Sequence, residues 1–188
     1  DDATAAYKRA LELDPKLRGA RRSLADLSRA GGKFPAALLL YRDHLAAEPA
    51  DKVARAGLVL TLFELDKMDD AKRELEAALK DEPRNLTLLV GAAYWLVAHG
   101  NSEVGLELAQ RAVDIEPRYT WAQITLARAL MAQRQPLYAE RSLRFARQYG
   151  SFPTLDYELA STLASLGLYE EAAAVLTLLG DCAKGWLA

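Results

Sequence analysis

Small and apolar residues recur at helical spacing along the chain, and charged residues fill the positions between them. The stretch 71–83 shows this pattern most clearly, with Ala71, Leu75 and Ala78 at helical spacing and Pro83 at its end. Residues three or four apart lie on one face of an α-helix, and proline cannot continue a helix because it lacks a backbone N–H. The pattern predicts an all-α chain of short amphipathic helices with firm stops.

The same pattern returns at a fixed interval. Pro15, Pro49, Pro83 and Pro117 follow one another every 34 residues, and each of them comes after an acidic residue. A fixed period of this length indicates a repeat protein, in which neighbouring units bury one another's apolar faces. We therefore predict one continuous repeat array instead of one or two ordinary globular domains.

The repeat resembles the tetratricopeptide repeat, a unit of about 34 residues that folds as helix, turn and helix. In that family, small residues stand where the helices cross and a proline ends the second helix. Equivalent small residues here include Ala37, Ala71, Gly105 and Ala139. Short side chains at these places let two helices approach closely. The resemblance implies an all-α, right-handed α-solenoid of helix-turn-helix repeats.

The repeat frame assigns a boundary to every unit. The predicted units are a half repeat at 1–17, full repeats at 18–51, 52–85, 86–119 and 120–153, a terminal hairpin at 154–179 and a tail at 180–188. The last predicted helix has an apolar face, whereas a terminal repeat normally has a polar one. We therefore expect a part of a longer protein, whose tail either caps the last helix or begins a further repeat.

Charge and composition narrow the classes of partner. The 24 basic and 26 acidic residues are spread along the chain and give a net charge of -2, so no strong field attracts a polyanion. The single cysteine, Cys182, cannot form an internal disulfide, and no run of 18 or more apolar residues is present. We predict no nucleic-acid partner and no membrane insertion. The sequence does not identify the compartment, and a soluble, cytoplasmic protein is the favoured expectation.

Residues that could perform catalysis or bind a metal are few. His44 occupies a repeat position usually given to alanine, which favours a packing role. His99 ends a predicted first helix, where a donor would satisfy terminal carbonyl groups. No histidine or cysteine pair has the spacing of a metal site. The prediction is therefore a protein that is not an enzyme by itself, with no catalytic residues, no metal and no cofactor.

Two other features have a structural and a functional interpretation. Gly57 and Gly91 lie at one repeat position inside predicted helices, where glycine costs about 1 kcal/mol relative to alanine. Something must approach closely there, either another helix or a ligand backbone. Arg141, Arg144 and Arg147 form a basic stripe, which is either a solvated outer face with local ion pairs or an anion site.

The resemblance also assigns certain positions of each first helix to the concave side of the solenoid. In this chain those positions are mostly apolar in the middle and charged at one end, and a contiguous exposed apolar patch usually marks an interaction site. The predicted peptide-binding groove consists of Arg22, Arg29, Leu60, Phe63, Val90, Tyr94, Trp121, Ile124, Arg128, Met131 and Tyr157.

The predicted function is a protein–protein interaction scaffold that binds a peptide or partner helix in this groove. Tyr94 and Trp121 are expected to be the dominant contacts, while Arg22, Arg29 and Arg128 set the orientation. One alternative is a regulatory or substrate-recruiting arm of a larger multidomain enzyme. Another is self-association through the terminal helix.

Overall fold

The computed structural model describes residues 2–14 and 17–185, which form α-helices joined by short turns. Among these residues there are eleven helices and no β-strand, so the prediction of an all-α fold is confirmed. The helices are α1 (Asp2–Leu13), α2 (Arg18–Ala30), α3 (Phe34–Ala47), α4 (Lys52–Glu64), α5 (Met68–Asp81), α6 (Leu86–Ala98), α7 (Ser102–Ile115), α8 (Thr120–Ala132), α9 (Pro136–Arg147), α10 (Pro153–Ser165) and α11 (Tyr169–Gly185). The first proline of the ladder, Pro15, lies outside the described residues.

Each hairpin reverses direction through a turn whose middle residue has a left-handed backbone. Helix ends of this kind are usually closed by a hydrogen bond from the residue after the turn to a carbonyl five residues earlier. That bond is present in every hairpin, for example from Lys33 N to Ser28 O at 2.8 Å and from Asn101 N to Leu96 O at 2.8 Å. The left-handed residues are Gly32, Asp66, Gly100, Arg134 and Gly167.

The connections between hairpins also follow the repeat. Asp51 and Asn85 occupy equivalent positions just before α4 and α6. Each accepts a hydrogen bond at 3.0 Å from a backbone N–H in the first turn of that helix, Asp51 from Ala54 and Asn85 from Leu88. A side chain in this position satisfies a donor that has no partner within the helix. The repeat therefore sets where these helices begin as well as where they end.

The described residues fall into two compact units, divided between Leu88 and Leu89. In the first unit, α2 contacts both α3 and α4, and the core contains the fully buried side chains of Tyr41 and Leu62. In the second unit, α8 contacts α9 and α10, and Ile124 and Leu143 are fully buried. Within each unit, first helices of successive hairpins touch, as stacked repeats require. The prediction of a single array from residue 1 to residue 188 stays a prediction.

The small residues of the repeat lie where helices approach most closely. Ala37, Ala71 and Ala139 are fully buried. At Gly105, an added Cβ would lie 2.5 Å from Cγ2 of Val97 on the preceding helix. A larger side chain at these positions would force the helices apart, which is the physical reason for the small-residue pattern.

The last helix is longer than the predicted terminal hairpin. Helix α11 continues through Gly185, six residues past Leu179, where the hairpin was expected to end. No proline follows Leu179, and a helical glycine at Gly180 costs only about 1 kcal/mol, so nothing in this stretch stops the helix. The final three residues of the predicted tail, 186–188, lie outside the described residues.

Candidate peptide-binding site

A cavity of about 260 Å³ lies in the second unit, between the first helices α6, α8 and α10. Each helix contributes a pair of lining residues that are one helical turn apart and therefore share a face, and α6 and α10 add Ala98 and Thr162. These pairs are Tyr94 and Val97 on α6, Arg128 and Met131 on α8, and Glu158 and Ser161 on α10. The repeat thus places three short strips of side chain around one opening.

An ion pair forms one wall of the cavity. Nε of Arg128 donates to Oε1 of Glu158 at 2.8 Å, and Nη2 donates to the same oxygen. Cζ of Arg128 lies 4.4 Å from the centroid of the Tyr94 ring, which is a cation–π arrangement. Burial disfavours the charged guanidinium, but the hydrogen bonds and charge of Glu158 outweigh this effect and raise the pKa of Arg128. The wall therefore contains two opposite charges that compensate each other.

The predicted groove residues differ widely in exposure. Tyr94, Trp121 and Tyr157 are exposed, with 37%, 40% and 64% of their surface accessible. The partly exposed members of the set are Arg22, Arg29, Leu60, Arg128 and Met131. Of these eight residues, the cavity brings together Tyr94, Arg128 and Met131.

Three predicted groove residues offer almost no surface to a ligand. Phe63 and Ile124 are fully buried, and Val90 is 8% exposed. Their assignment to the groove is therefore corrected to a core role. Phe63 lies on α4, which contacts α2, α3 and α5, and Ile124 lies on α8, which contacts α7, α9 and α10, so the open face of these helices is narrower than the resemblance implies.

Trp121 and Tyr157 do not line the cavity. The Trp121 ring packs against Phe152, with 5.6 Å between ring centroids and a 38° angle between the rings. Trp121 precedes Arg128 by two helical turns, which is about 10.5 Å along α8. Only one of the two expected dominant contacts, Tyr94, thus belongs to the cavity.

Glu158 lines the cavity but is absent from the predicted groove residues. Helix α10 begins at Pro153, one residue earlier than a step of 34 residues from the start of α8 at Thr120, and the predicted groove residue Tyr157 is likewise one residue before Glu158. An unbroken count of 34 residues from Ile124 arrives at Glu158. The complementary charge of Arg128 would have supported that count, since a partly buried arginine needs an acidic partner.

In the first unit, the predicted groove residue Arg22 belongs to a different polar cluster. Nη1 of Arg22 lies 3.2 Å from Oδ2 of Asp51, and Nε2 of the buried His44 lies 2.8 Å from the same oxygen. Burial alone would raise the pKa of Asp51. The backbone N–H of Ala54, His44 and Arg22 together lower it. His44 is therefore a buried residue with a hydrogen-bonding partner, which agrees with the structural interpretation of its repeat position.

A second cluster in this unit explains one of the two helical glycines. A Cβ at Gly57 would clash with the ring of Tyr41, which is fully buried. The Tyr41 hydroxyl donates to Oδ1 of Asp26 at 2.5 Å, and burial together with this carboxylate raises the pKa of Tyr41. Gly57 thus makes room for a side chain of the neighbouring helix. For Gly91, both interpretations stay predictions.

Most of the basic stripe on α9 is occupied by local ion pairs. Arg144 pairs with Glu140 and, at 2.6 Å, with Glu171. Nε of Arg147 lies 3.0 Å from Oδ1 of Asp156. These contacts correspond to the structural interpretation of the stripe.

Two kinds of site are absent from the described residues: a metal-binding cluster and a membrane-spanning helix. Within residues 2–14 and 17–185, no group of three histidine, cysteine, aspartate or glutamate side chains is placed to hold a metal ion. In the same part of the chain, no helix combines the length and the apolar character needed to cross a bilayer.

Solved structures with the same fold are numerous. TTC0263, a thermophilic TPR protein of Thermus thermophilus, is 23% identical with a TM-score of 0.72, over 91% of this chain and 100% of its own. The pilF protein of Pseudomonas aeruginosa is 19% identical with a TM-score of 0.76, over 87% of this chain and 75% of its own. Human IFIT1, solved as a dimer with m7Gppp-AAAA, is 18% identical with a TM-score of 0.78, over 94% of this chain and 45% of its own. These identities establish a common fold alone.

Sequence models of known families give the assignment. One model described as tetratricopeptide repeat matches residues 28–93, and a second with the same description matches residues 1–52 and 124–183. No curated protein sequence matches this chain. The second model covers more than half of the 188 residues. The chain therefore belongs to the tetratricopeptide repeat family, as the spacing of its prolines and small residues predicts.

Proposed function

We propose that the second unit binds a peptide segment of a partner protein, one side chain of which enters the cavity between α6, α8 and α10. Tetratricopeptide repeat proteins are in general scaffolds for protein–protein interaction, and this chain shares that general role. The observation that carries the finer proposal is the cavity itself. It combines an accessible aromatic ring, Tyr94, with the aliphatic surface of Val97 and Met131.

The size of the cavity favours a peptide over a free metabolite. Sites for small molecules commonly measure about 300–1,000 Å³ and enclose most of the ligand. This cavity is smaller, at about 260 Å³, and one member of its wall is 37% exposed. A single side chain can enter it while the rest of a peptide lies along the helices. Each patch of about 40 Å² of apolar surface buried in this way contributes about 1 kcal/mol.

Peptide selection followed by titration tests the proposal. Peptides enriched on the immobilised protein from a random library should lose about 30-fold in affinity, or about 2 kcal/mol, when Tyr94 is changed to alanine, because central aromatic contacts dominate such interfaces. Met131→Ala should act in the same direction. Arg141→Ala, on α9 and away from the cavity, is the control and should bind as the wild type does.

The opposite pattern would overturn the proposal. If Arg141→Ala lost affinity while Tyr94→Ala and Met131→Ala kept it, the α9 surface would be the binding site. A Trp121→Ala variant measures how far the peptide extends along α8 beyond the cavity.

The predicted absence of a nucleic-acid partner stays a prediction and can be measured in the same assay. Human IFIT1 was solved with the capped RNA m7Gppp-AAAA, although its likeness to this chain concerns the fold alone. Titration with that RNA should give no binding, since the net charge of -2 offers no excess of cations for the phosphates. The predicted cytoplasmic location and self-association also stay predictions.

A further inference from the structure

We propose that the side chain accepted by this cavity is a phenol or an indole, that of tyrosine or tryptophan, which donates its O–H or N–H to Glu158. The inference rests on the proposed function, because it names the chemistry of the group that fills the same cavity. Three properties of the site lead to it: the shape of its apolar wall, the balance of its charges and one carboxylate oxygen.

The apolar wall suits an aromatic ring. Tyr94, Val97 and Ala98 form one side of the cavity, and Met131 stands on the neighbouring helix. Tyrosine pairs favourably with a second ring in an edge or offset arrangement, and the methionine sulfur makes favourable contacts with aromatic edges. A flat ring between these groups would contact carbon or sulfur along most of its surface.

The ion pair excludes a charged guest. Because Nε and Nη2 of Arg128 both donate to Glu158, an incoming carboxylate would meet the negative charge of Glu158 beside the guanidinium. An incoming ammonium would meet Arg128, which already covers the face of the Tyr94 ring. Either ion would also lose its hydration on entry, which costs more than the balanced pair can return. The guest is therefore uncharged.

One oxygen of Glu158 is available to a donor. Oε1 accepts both hydrogen bonds from Arg128, whereas among the described residues Oε2 accepts none. The Glu158 side chain lines the cavity and is only 16% exposed, so its access to water is limited. An ionised carboxylate can only accept hydrogen bonds, and bonds to a charged acceptor are stronger than those between neutral groups. A phenol or indole supplies such a donor at the edge of a ring, whereas phenylalanine and leucine do not.

The two methionines of the chain allow a direct measurement. Met131 lines the cavity, while Met68 begins α5 in the first unit and serves as an internal control. We would label the methionine methyl groups isotopically and follow their NMR signals during titration with p-cresol and toluene, and with indole and N-methylindole. The Met131 signal should move and the Met68 signal should not. The donor-bearing member of each pair should bind at least about tenfold more tightly, as expected for a hydrogen bond to a charged group.

A substitution at Glu158 separates the hydrogen bond from the shape of the cavity. Glu158→Gln keeps the size of the side chain. Its carbonyl oxygen can still accept hydrogen bonds from Arg128, and in that orientation its NH₂ group faces the guest as a donor. The preference for indole over N-methylindole should then disappear, because an indole N–H can only donate. The oxygen of p-cresol can still accept from the amide NH₂, so that pair is not informative for this variant. Glu140→Gln removes the same charge from α9, outside the cavity, and should leave the preference unchanged.

The outcomes distinguish this inference from the proposed function. Equal affinities for p-cresol and toluene in the wild type would overturn the inference and leave peptide binding intact. Selected peptides anchored by lysine, glutamate or leucine in the cavity would do the same. If neither the fragments nor any selected peptide moved the Met131 signal, both proposals would be wrong.

Discussion

Tyr41 in the first unit and Tyr94 in the second are the same amino acid in opposite roles. Tyr41 projects from the second helix of its hairpin, fills the space beside Gly57 and is fully buried. Tyr94 projects from a first helix, is 37% exposed and stands beside a cavity. The comparison teaches that the same amino acid either holds the repeat together or remains available to a ligand, according to how closely the neighbouring helices pack around its ring.

The two arginine–carboxylate pairs differ in a similar way. Both oxygens of Asp51 are used, since Oδ1 accepts from Ala54 N and Oδ2 is shared by His44 and Arg22. In the second unit, Glu158 uses one oxygen for Arg128. A carboxylate that uses both oxygens within the protein stabilises the fold, whereas an acceptor with spare capacity next to a cavity can bind a guest.

The largest expected effect comes from removing the buried tyrosine. Tyr41→Ala should lower the free energy of unfolding by about 3–5 kcal/mol, because it leaves a cavity the size of an aromatic ring. Tyr94→Ala should lower it by less than about 1 kcal/mol, as is usual for a half-exposed side chain. Urea unfolding followed by circular dichroism measures both.

Peptide affinity should show the reverse order. At a temperature where both variants are folded, Tyr94→Ala should weaken binding and Tyr41→Ala should not. Equal losses of stability in the two variants would remove the distinction between a structural and a ligand-binding tyrosine.

A smaller loss of stability is expected from overpacking a small-residue position that occurs in both units. Ala78 in the first unit and Ala112 in the second occupy the same small-residue position and are buried. Replacing either by leucine should overpack a hairpin and cost about 1–3 kcal/mol of stability. Ala77→Leu is the matched control, because Ala77 is exposed next to Ala78. Unchanged melting of both buried variants would contradict the repeat register.

The smallest expected effect on stability, and one that depends on pH, comes from the carboxylate of Asp51 in the first unit. The folded state lowers the pKa of Asp51, so its contribution to stability is present above the ordinary aspartate value of about 3.9 and is lost as the pH falls through the lower, folded value. In Asp51→Asn, the amide oxygen would still accept the hydrogen bond that begins α4. The substitution should therefore cost only about 1 kcal/mol at neutral pH, the worth of an ion pair that is partly exposed.

The pH dependence provides the check. The stability difference between the wild type and Asp51→Asn should shrink as the pH falls below about 4. Asp43→Asn, at an exposed position on α3, should show no such convergence. A constant difference down to acid unfolding would mean that the charge of Asp51 does not contribute.

Much of the local structure followed from the sequence because its causes are local. The ladder of Pro49, Pro83 and Pro117 lies just after the ends of α3, α5 and α7. Turns at Gly32 and Gly100 were foreseeable, since glycine adopts the left-handed conformation without strain. Asp66 and Arg134 adopt it without being glycine, so composition alone could not reveal those turns.

The site was predicted only in part. Tyr94, Arg128 and Met131 were identified through their repeat positions and do line the cavity. Phe63 and Ile124 satisfied the same positional rule and are buried. The repeat position of a residue predicts the direction in which its side chain leaves the helix. The exposure of that side chain depends on how closely the neighbouring helices approach.

By itself, the sequence determined the all-α repeat. The spacing of small residues and prolines fixes where helices end and which faces meet, and these contacts are made within one hairpin or with the next one. Only the tertiary structure decided which inner residues remain open and which charges meet. Arg128 and Glu158 lie thirty residues apart and pair across α8 and α10. That pairing depends on the distance and rotation between packed helices, which the spacing along a chain does not contain.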